Sequence, residues 1–322
     1  MLHRSGGRDY QLYADTVRVS VGLPIDRADP TGQFLTATGI SVCAQAAQTA
    51  GFHAVFATDH PAPDAKWLST GGHPTLDPFV ALSFAAAATS HIHLHTNLLV
   101  LPYRNPLLTA KSVASLDVLS NGRVIVGVGV GYLESEYDAL GVQFSDRAAL
   151  SDDALIAMLS AWRGEPFDHV GLGYNARNTV VQPTPMQRPH PPVWIGGNSK
   201  RAIERVVAFG NGWSPMPSSA ASARYLGTPG MDSISDFVER MKILTDLMAA
   251  SGRTDAVDVA VVPTALSGFG GLNWSPGALH DEIGQLTAAG ATVLVVNVGA
   301  THPLEYAERV AQLGSEIIST LT

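Results

Sequence analysis

Eight times in succession this chain follows a short, unbroken apolar stretch with a segment of helical period, and that rhythm limits its folds more than any other feature. Val17 to Leu23 leads to a helical pattern over Phe34 to Ala50, and Ala54 to Ala57 to an alanine-rich helix from Asp77 to Thr89. Ile92 to Leu101 precedes a helix over Leu107 to Leu119, and Val124 to Val130 precedes one ending near Trp162. Val193 to Ile195, Gly212 to Met216, Val257 to Ala265 and Thr292 to Val298 complete the strands. Each of these is again followed by a helical segment, among them Lys200 to Phe209, Ile234 to Ala250 and a last one from Pro303 to near Thr320. Strands that are apolar throughout, rather than at alternate positions, belong to parallel sheets covered on both faces. Eight such units predict an α/β fold closed as a (β/α)8 TIM barrel, with an open doubly wound sheet as the alternative. Ala50-Gly51, Phe209-Gly210 and Ala289-Gly290 put glycine where a helix stops in the left-handed conformation ahead of a strand.

At 322 residues the chain is longer than a minimal barrel of about 250. Two segments account for the excess within a single domain spanning 1–322. Residues 1–16 are polar, lack the apolar core of a secretory signal, and read as an N-terminal extension. Residues 163–192 have no helical period and carry six prolines, which marks an insertion between strands four and five. It has room for a hairpin pairing Asp168 to Leu172 with Thr179 to Val181, and serves either as a lid or rim or as a rigid surface crossover.

Composition narrows the function classes. Only 15% of residues are charged, against a usual share of about 25%, and 46% are hydrophobic. Net charge is −8, and four lysines stand beside sixteen arginines with no basic stripe, so nucleic acid is not an expected partner. No apolar run reaches the length of a membrane span. A single cysteine, Cys43, rules out an intramolecular disulfide and a cysteine-based zinc site. A cytoplasmic enzyme acting on a small molecule is the expectation.

In a barrel the reactive groups sit at the carboxyl ends of strands. Strand two ends in Thr58-Asp59-His60-Pro61, an acid beside an imidazole, suited to proton transfer or to polarising a bound ring. The alternative is that Asp59 caps a turn. His91, His93 and His95 share one face of strand three, but at its start, on the floor of the barrel. They read as a layer of hydrogen-bonded imidazoles, and no metal site is assigned, a metal-dependent hydrolase being a distant alternative. Strand four ends in Gly127-Val128-Gly129-Val130-Gly131, which lacks the spacing of a dinucleotide fingerprint. Strand five runs into Gly196-Gly197-Asn198-Ser199 at the start of a helix, a place for phosphate, although Asn198 or Ser199 also serves there as a cap. Two glycine-lined strand ends together point to an elongated, phosphate-bearing ligand.

These segments carry a resemblance. In order they are Thr58-Asp59-His60, Leu101-Pro102-Tyr103-Arg104-Asn105-Pro106, and the run from Leu116 to Arg123 that leads into Gly127 to Gly131. Gln187 to Gly197 and Gly210-Asn211-Gly212-Trp213 follow. From Val17 to Ala311 the chain resembles the luciferase-like superfamily of flavin- and deazaflavin-dependent oxidoreductases. More narrowly it is similar to the actinobacterial branch that uses coenzyme F420. The resemblance implies a ring bound in the barrel mouth, backed by a non-proline cis peptide whose matching bond is Asn97-Leu98. It implies that Asp59 and His60 are the ring-side pair, with His60 facing substrate. Gly129 and Gly131 match the positions along the cofactor tail and Gly196 and Gly197 the phosphate loop, with Asn198 and Ser199 kept as adjoining candidates, and Trp213 lies near the mouth. A homodimer is implied as well.

Two departures qualify the transfer. Asn211 stands where the family motif often has Asp, so a charge is expected to be missing there. Tyr132 stands where sugar-phosphate dehydrogenases of this branch place an acidic proton donor, so that activity is not expected and Tyr132 becomes the substitute candidate. The expectation is hydride transfer between F420 and an organic substrate; the alternatives are an FMN-dependent monooxygenase and a relative that binds ligand without catalysis.

Overall fold

A computed structural model of the chain describes residues 17–26, 29, 31–219, 221–223, 227–268 and 275–321. The expected N-terminal extension and most of the glycine-bearing stretch from Ser267 to Asn273 fall outside the described residues.

Among the described residues there are ten strands, eight of them in a closed barrel. In chain order the barrel strands are β1 (Arg18–Gly22), β2 (Ala54–Ala57), β3 (His93–Val100), β4 (Val124–Gly129), β7 (Val193–Gly196), β8 (Gly212–Ser214), β9 (Asp258–Val261) and β10 (Val293–Val296). Each pairs in parallel with its neighbours, and β1 closes against β10 through Arg18–Val293 to Val21–Val296. Helices return the chain between strands: α1 (Ala37–Thr49), α2 (Ala65–Ser69), α3 (Pro78–Ala88), α4 (Pro106–Leu119), α5 (Glu134–Ala139), α6 (Arg147–Ala161), α7 (Lys200–Phe209), α8 (Ile234–Ser251), α9 (Pro276–Ala288) and α10 (Pro303–Glu316). The doubly wound alternative is excluded by the closure.

Side chains divide by strand parity. Val19, Val21, Val55, Leu94, Val126 and Ile195 join the large core shared with the helices. Their neighbours Ala54, Phe56, Ile125, Trp194, Ala260, Val293 and Val295 fill the barrel interior as a separate cluster. Both faces are therefore dry, which is why the strands read as continuous apolar runs. Polar residues start the helices: the Asp77 carboxylate accepts from the backbone N–H groups of Phe79 and Val80, and Asn105 does the same for Leu107 and Leu108. Gly51 (φ 83°) and Gly290 (φ 104°) adopt the expected left-handed stop. Gly210 does not; its φ is −89°, and a Cβ there would lie 3.0 Å from Ile195 and 3.1 Å from Val206 Cα. Close packing, not backbone handedness, is what keeps glycine at that position.

The segment 163–192 forms an antiparallel hairpin, β5 (Phe167–Gly171) against β6 (Tyr174–Thr179). The second strand starts earlier than expected, at Tyr174 instead of Thr179, because Leu172-Gly173 makes the turn with Gly173 at φ 88°. His169 Nε2 meets Asp153 at 2.7 Å and the Leu172 N–H donates to the same carboxylate, so the hairpin lies along α6.

Several motif residues that carried the resemblance hold this frame. Asp117, fully buried, accepts from Gln187 N at 3.0 Å and Gln187 Nε2 at 2.7 Å, which binds the crossover to the α4–β4 turn. The Arg123 guanidinium donates to the carbonyls of Ala86, Ile92 and Ser120. Asn211 accepts from Val193 N at 3.0 Å, below the start of β8. The missing charge expected at Asn211 is therefore a floor feature, remote from the mouth.

Candidate functional site

Beyond Ala57, β2 delivers Asp59 and His60 to the mouth of the barrel. Asp59 is 3% exposed and its oxygens are all engaged: Oδ2 accepts from Val100 N at 3.0 Å and Arg104 Nε at 3.2 Å, and Oδ1 from Arg104 Nη2 at 2.7 Å. Burial works against the Arg104 charge, but the Asp59 pair outweighs it and raises the guanidinium pKa. Asp59 thus clamps the end of β3, through the Val100 N–H and the Arg104 guanidinium.

His60 has a different environment. Its Nδ1 lies 3.1 Å from Glu136 Oε2. Glu136 is on α5, fully buried, and its carboxylate also accepts from Tyr103 Oη at 3.1 Å and Ala62 N at 3.2 Å. Burial and the Glu136 carboxylate push the Tyr103 phenol above its usual pKa, so it stays a hydrogen-bond donor. A fully buried carboxylate facing three such groups holds its neighbour imidazole in one orientation. Among the described residues Nε2 of His60 has no hydrogen-bond partner, which leaves it as the nitrogen able to exchange a proton.

Rings surround this pair. Trp67, His73 and Tyr132 lie 4.5, 5.1 and 5.9 Å from the His60 ring, centroid to centroid. Trp67, His73 and Tyr132 also line a cavity of about 890 Å³ together with Phe144, Lys66 and Arg147. Tyr132 therefore belongs to the site as part of its aromatic wall. No residue of the 163–192 crossover lines that cavity.

The glycine-rich strand ends are arranged around Leu98. The Asn97-Leu98 peptide is cis, at the top of β3 where the β3–β4 register shifts. A Cβ at Gly196 would meet Leu98 Cδ1 at 2.0 Å, and one at Gly127 would meet Leu98 Cδ2 at 2.9 Å. Gly196 therefore makes room for Leu98. Gly129 is freer, its Cβ position only 3.4 Å from Leu98, and Gly131 (φ 67°) and Gly197 (φ 114°) have backbones that favour glycine.

Three expected ligand contacts are otherwise occupied. The Asn198 amide donates to Met216 O at 2.7 Å and Pro229 O at 3.1 Å and accepts from Met216 N at 2.9 Å. Ser199 Oγ caps α7 by accepting from Ala202 N at 3.1 Å. Trp213 is fully buried, stacks on Phe237 of α8, and donates from Nε1 to Gly197 O at 2.9 Å. It points outward from the barrel, since its neighbours in β8 take the interior parity, and cannot face the mouth.

The strand-three imidazoles are also dispersed. β3 starts at His93, which leaves His91 exposed in the preceding turn. His93 packs against His53 with the rings tilted by 34° and 4.5 Å apart, beside the Arg18–Asp258 ion pair on the floor. His95 lies inside the barrel against Trp194, where burial pushes its pKa down to about 3. Among the described residues no group of three or more His, Cys, Asp or Glu side chains is placed to hold a metal. Nor is any helix among them long and apolar enough to cross a membrane.

Sequence reasoning missed Glu136, Tyr103, Trp67 and Arg147. Glu136 had a signal: an acid was sought directly after the glycine run, and it occurs five residues beyond Gly131, after the chain has entered α5.

Comparison with known proteins places this geometry. The family model for luciferase-like monooxygenases matches residues 18–227. An uncharacterized Mycobacterium tuberculosis protein is 32% identical over 211 residues, 64% of this chain and 67% of that one. The oxygenase component of a flavin-dependent trigonelline monooxygenase from Acinetobacter baylyi is 27% identical over 173 residues, 53% of this chain and 46% of its own. In fold, the chain is similar to monooxygenase RslO1 from Streptomyces bottropensis, with TM-score 0.78 and 18% identity over 95% of this chain and 100% of that one. A coenzyme F420-dependent tetrahydromethanopterin reductase from Methanopyrus kandleri gives TM-score 0.71 at 18% identity, over 95% of this chain and 100% of its own.

Proposed function

The chain belongs to the luciferase-like monooxygenase family, and from that premise we propose that it transfers hydride between coenzyme F420 and an organic substrate. The observation that carries the reading is the His60–Glu136 pair at the barrel mouth. Oxidising an alcohol or reducing a carbonyl by hydride requires a proton to move in the same reaction, and a buried carboxylate behind an imidazole is built to handle one. The second reading, FMN-dependent oxygenation, draws support from the flavin-dependent relative.

The backbone at the strand ends fits a flat ring with an anionic tail. Asn97 and Leu98 would back the ring, Gly129 and Gly131 would lie along the tail, and the first turn of α7, just beyond Gly197 whose own N–H donates to Ser214 O, would receive phosphate through main-chain N–H groups. When bound, the deazaflavin supplies the hydride acceptor or donor. The chain's own residues do the rest. Glu136 fixes His60 through Nδ1, Nε2 gives or takes the proton, and Asp59 with Arg104 locks the end of β3. Trp67, His73 and Tyr132 exclude water from one side.

Titrating the protein with F420 and separately with FMN, followed by tryptophan fluorescence, tests the cofactor. Saturable F420 quenching is expected; saturation by FMN alone overturns the F420 reading in favour of the oxygenase. A homodimer is part of the same proposal, supported by the exposed Val80 and Phe84 on the outer face of α3 and tested by light scattering.

A further inference from the structure

We propose that the cavity beside His60 takes a planar aromatic carboxylate as the organic substrate, an inference that rests on the oxidoreductase reading above. The walls argue for the ring. Trp67 and His73 lie 5.4 Å apart, and both pack within 5.1 Å of His60. Gly72 closes the loop so tightly that a Cβ there would meet the Trp67 indole at 2.3 Å, which fixes the indole from behind. Tyr132, on the same cavity, lies edge-on to His60 at 5.9 Å. Such faces pair with a flat ring by offset or edge contact, with a geometric preference that a saturated ring of the same size does not satisfy. A volume of about 890 Å³ is generous for a small aliphatic molecule and suited to a ring system.

The charge argues for the carboxylate. Arg147 is half-buried at the cavity, its guanidinium 3.8 Å over the Phe144 ring and its Nη1 donating to Phe144 O at 2.8 Å. Among the described residues it has no carboxylate partner. Lys66, exposed on the same cavity, has none either. The two acids there do not compete for Arg147. Asp64 accepts from the Ser135 hydroxyl and from Trp67 N, bonds that hold its carboxyl below the usual range, and Glu134 is exposed at the start of α5. A stacked, half-desolvated guanidinium with N–H groups to spare presents the fork that carboxylates match. With the ring against Trp67 and Tyr132 and the carboxylate toward Arg147, the bound molecule lies beside the one histidine that Glu136 orients.

Benzoate is the probe, with cyclohexanecarboxylate and benzamide as controls for ring and charge. Binding is followed by calorimetry and tryptophan fluorescence, with and without F420. Benzoate should saturate one site and bind roughly tenfold or more tighter than either control, about 1.4 kcal/mol. Arg147→Gln should weaken benzoate by a similar factor and leave benzamide unchanged, while Trp67→Leu weakens both aromatic probes. Lys66→Gln, at an exposed position, provides a second charge test if Arg147→Gln does not fold. Equal binding of cyclohexanecarboxylate, no effect of either charge variant, or absence of saturation overturns the proposal. Competition between benzoate and F420 also overturns it, because the cavity would then belong to the cofactor. Failure of F420 to bind, with benzoate behaving as expected, counts against the cofactor reading alone.

Discussion

Glu136 and Asp59 show how little a residue's type says about its task at this site. Both are buried carboxylates near the mouth; one is committed to a permanent cation, Arg104, and the other to an imidazole and a phenol. Asp59→Ala leaves Val100 N without its acceptor and Arg104 with only the longer 3.4 Å contact to Asp77, so it should lower stability by about 2–4 kcal/mol, read as a drop in denaturation midpoint. Glu136→Gln keeps the volume but replaces an acceptor with a donor facing His60, Tyr103 and Ala62. The protein should remain folded while turnover with reduced F420 falls on the order of 100-fold, and the tautomer of His60 should change in nitrogen NMR spectra. Unchanged turnover would remove Glu136 from the mechanism. His60 and Tyr132 were legible in the sequence because strand-end positions are identifiable from hydrophobic rhythm. Glu136 was not, because its pairing crosses 76 residues.

At the scale of elements, the glycines of β4 and the loop after it separate two reasons for the same residue. Gly131 and Gly141 have almost the same φ, 67° and 72°, but a Cβ at Gly131 would meet Val100 Cγ1 at 2.6 Å, whereas at Gly141 it meets nothing within 4 Å. Gly141→Ala should therefore cost only the backbone strain, about 1–2 kcal/mol. Gly131→Ala adds an overpacking cost of about 1–3 kcal/mol. Parallel thermal melts check the ordering, and equal midpoints would mean that Val100 yields freely. Element boundaries were largely readable: Ala54–Ala57 and Lys200–Phe209 match their expected limits, since Gly, Asp, Asn and Ser flank them with distinct turn chemistry. The hairpin register was not, because β5 and β6 have both faces partly exposed and so no apolar pattern to set it.

For the whole molecule, closure of the barrel buries histidines that an unfolded chain would leave in water. Burial is the largest cause lowering the pKa of His53, His93, His95 and His190, reinforced at His53 by His93 and Arg18. A base held neutral in the fold binds fewer protons than in the unfolded chain. Stability is then full above about pH 6.5 and declines as pH falls below it. For His95, with a folded value of about 3, the loss is about 2 kcal/mol by pH 5. Urea midpoints at pH 7.5 and pH 5 test the sign, and a flat profile would contradict it. The eight-unit barrel, the strand ends and the glycines are readable along the chain, because hydrophobic period and turn residues act over a few neighbouring positions. Folding is what packs Trp213 against Phe237, engages the Asn198 and Ser199 side chains, and brings Glu136 to His60. Those outcomes depend on which side chains closure brings within hydrogen-bond distance, and a short-range pattern carries no record of that.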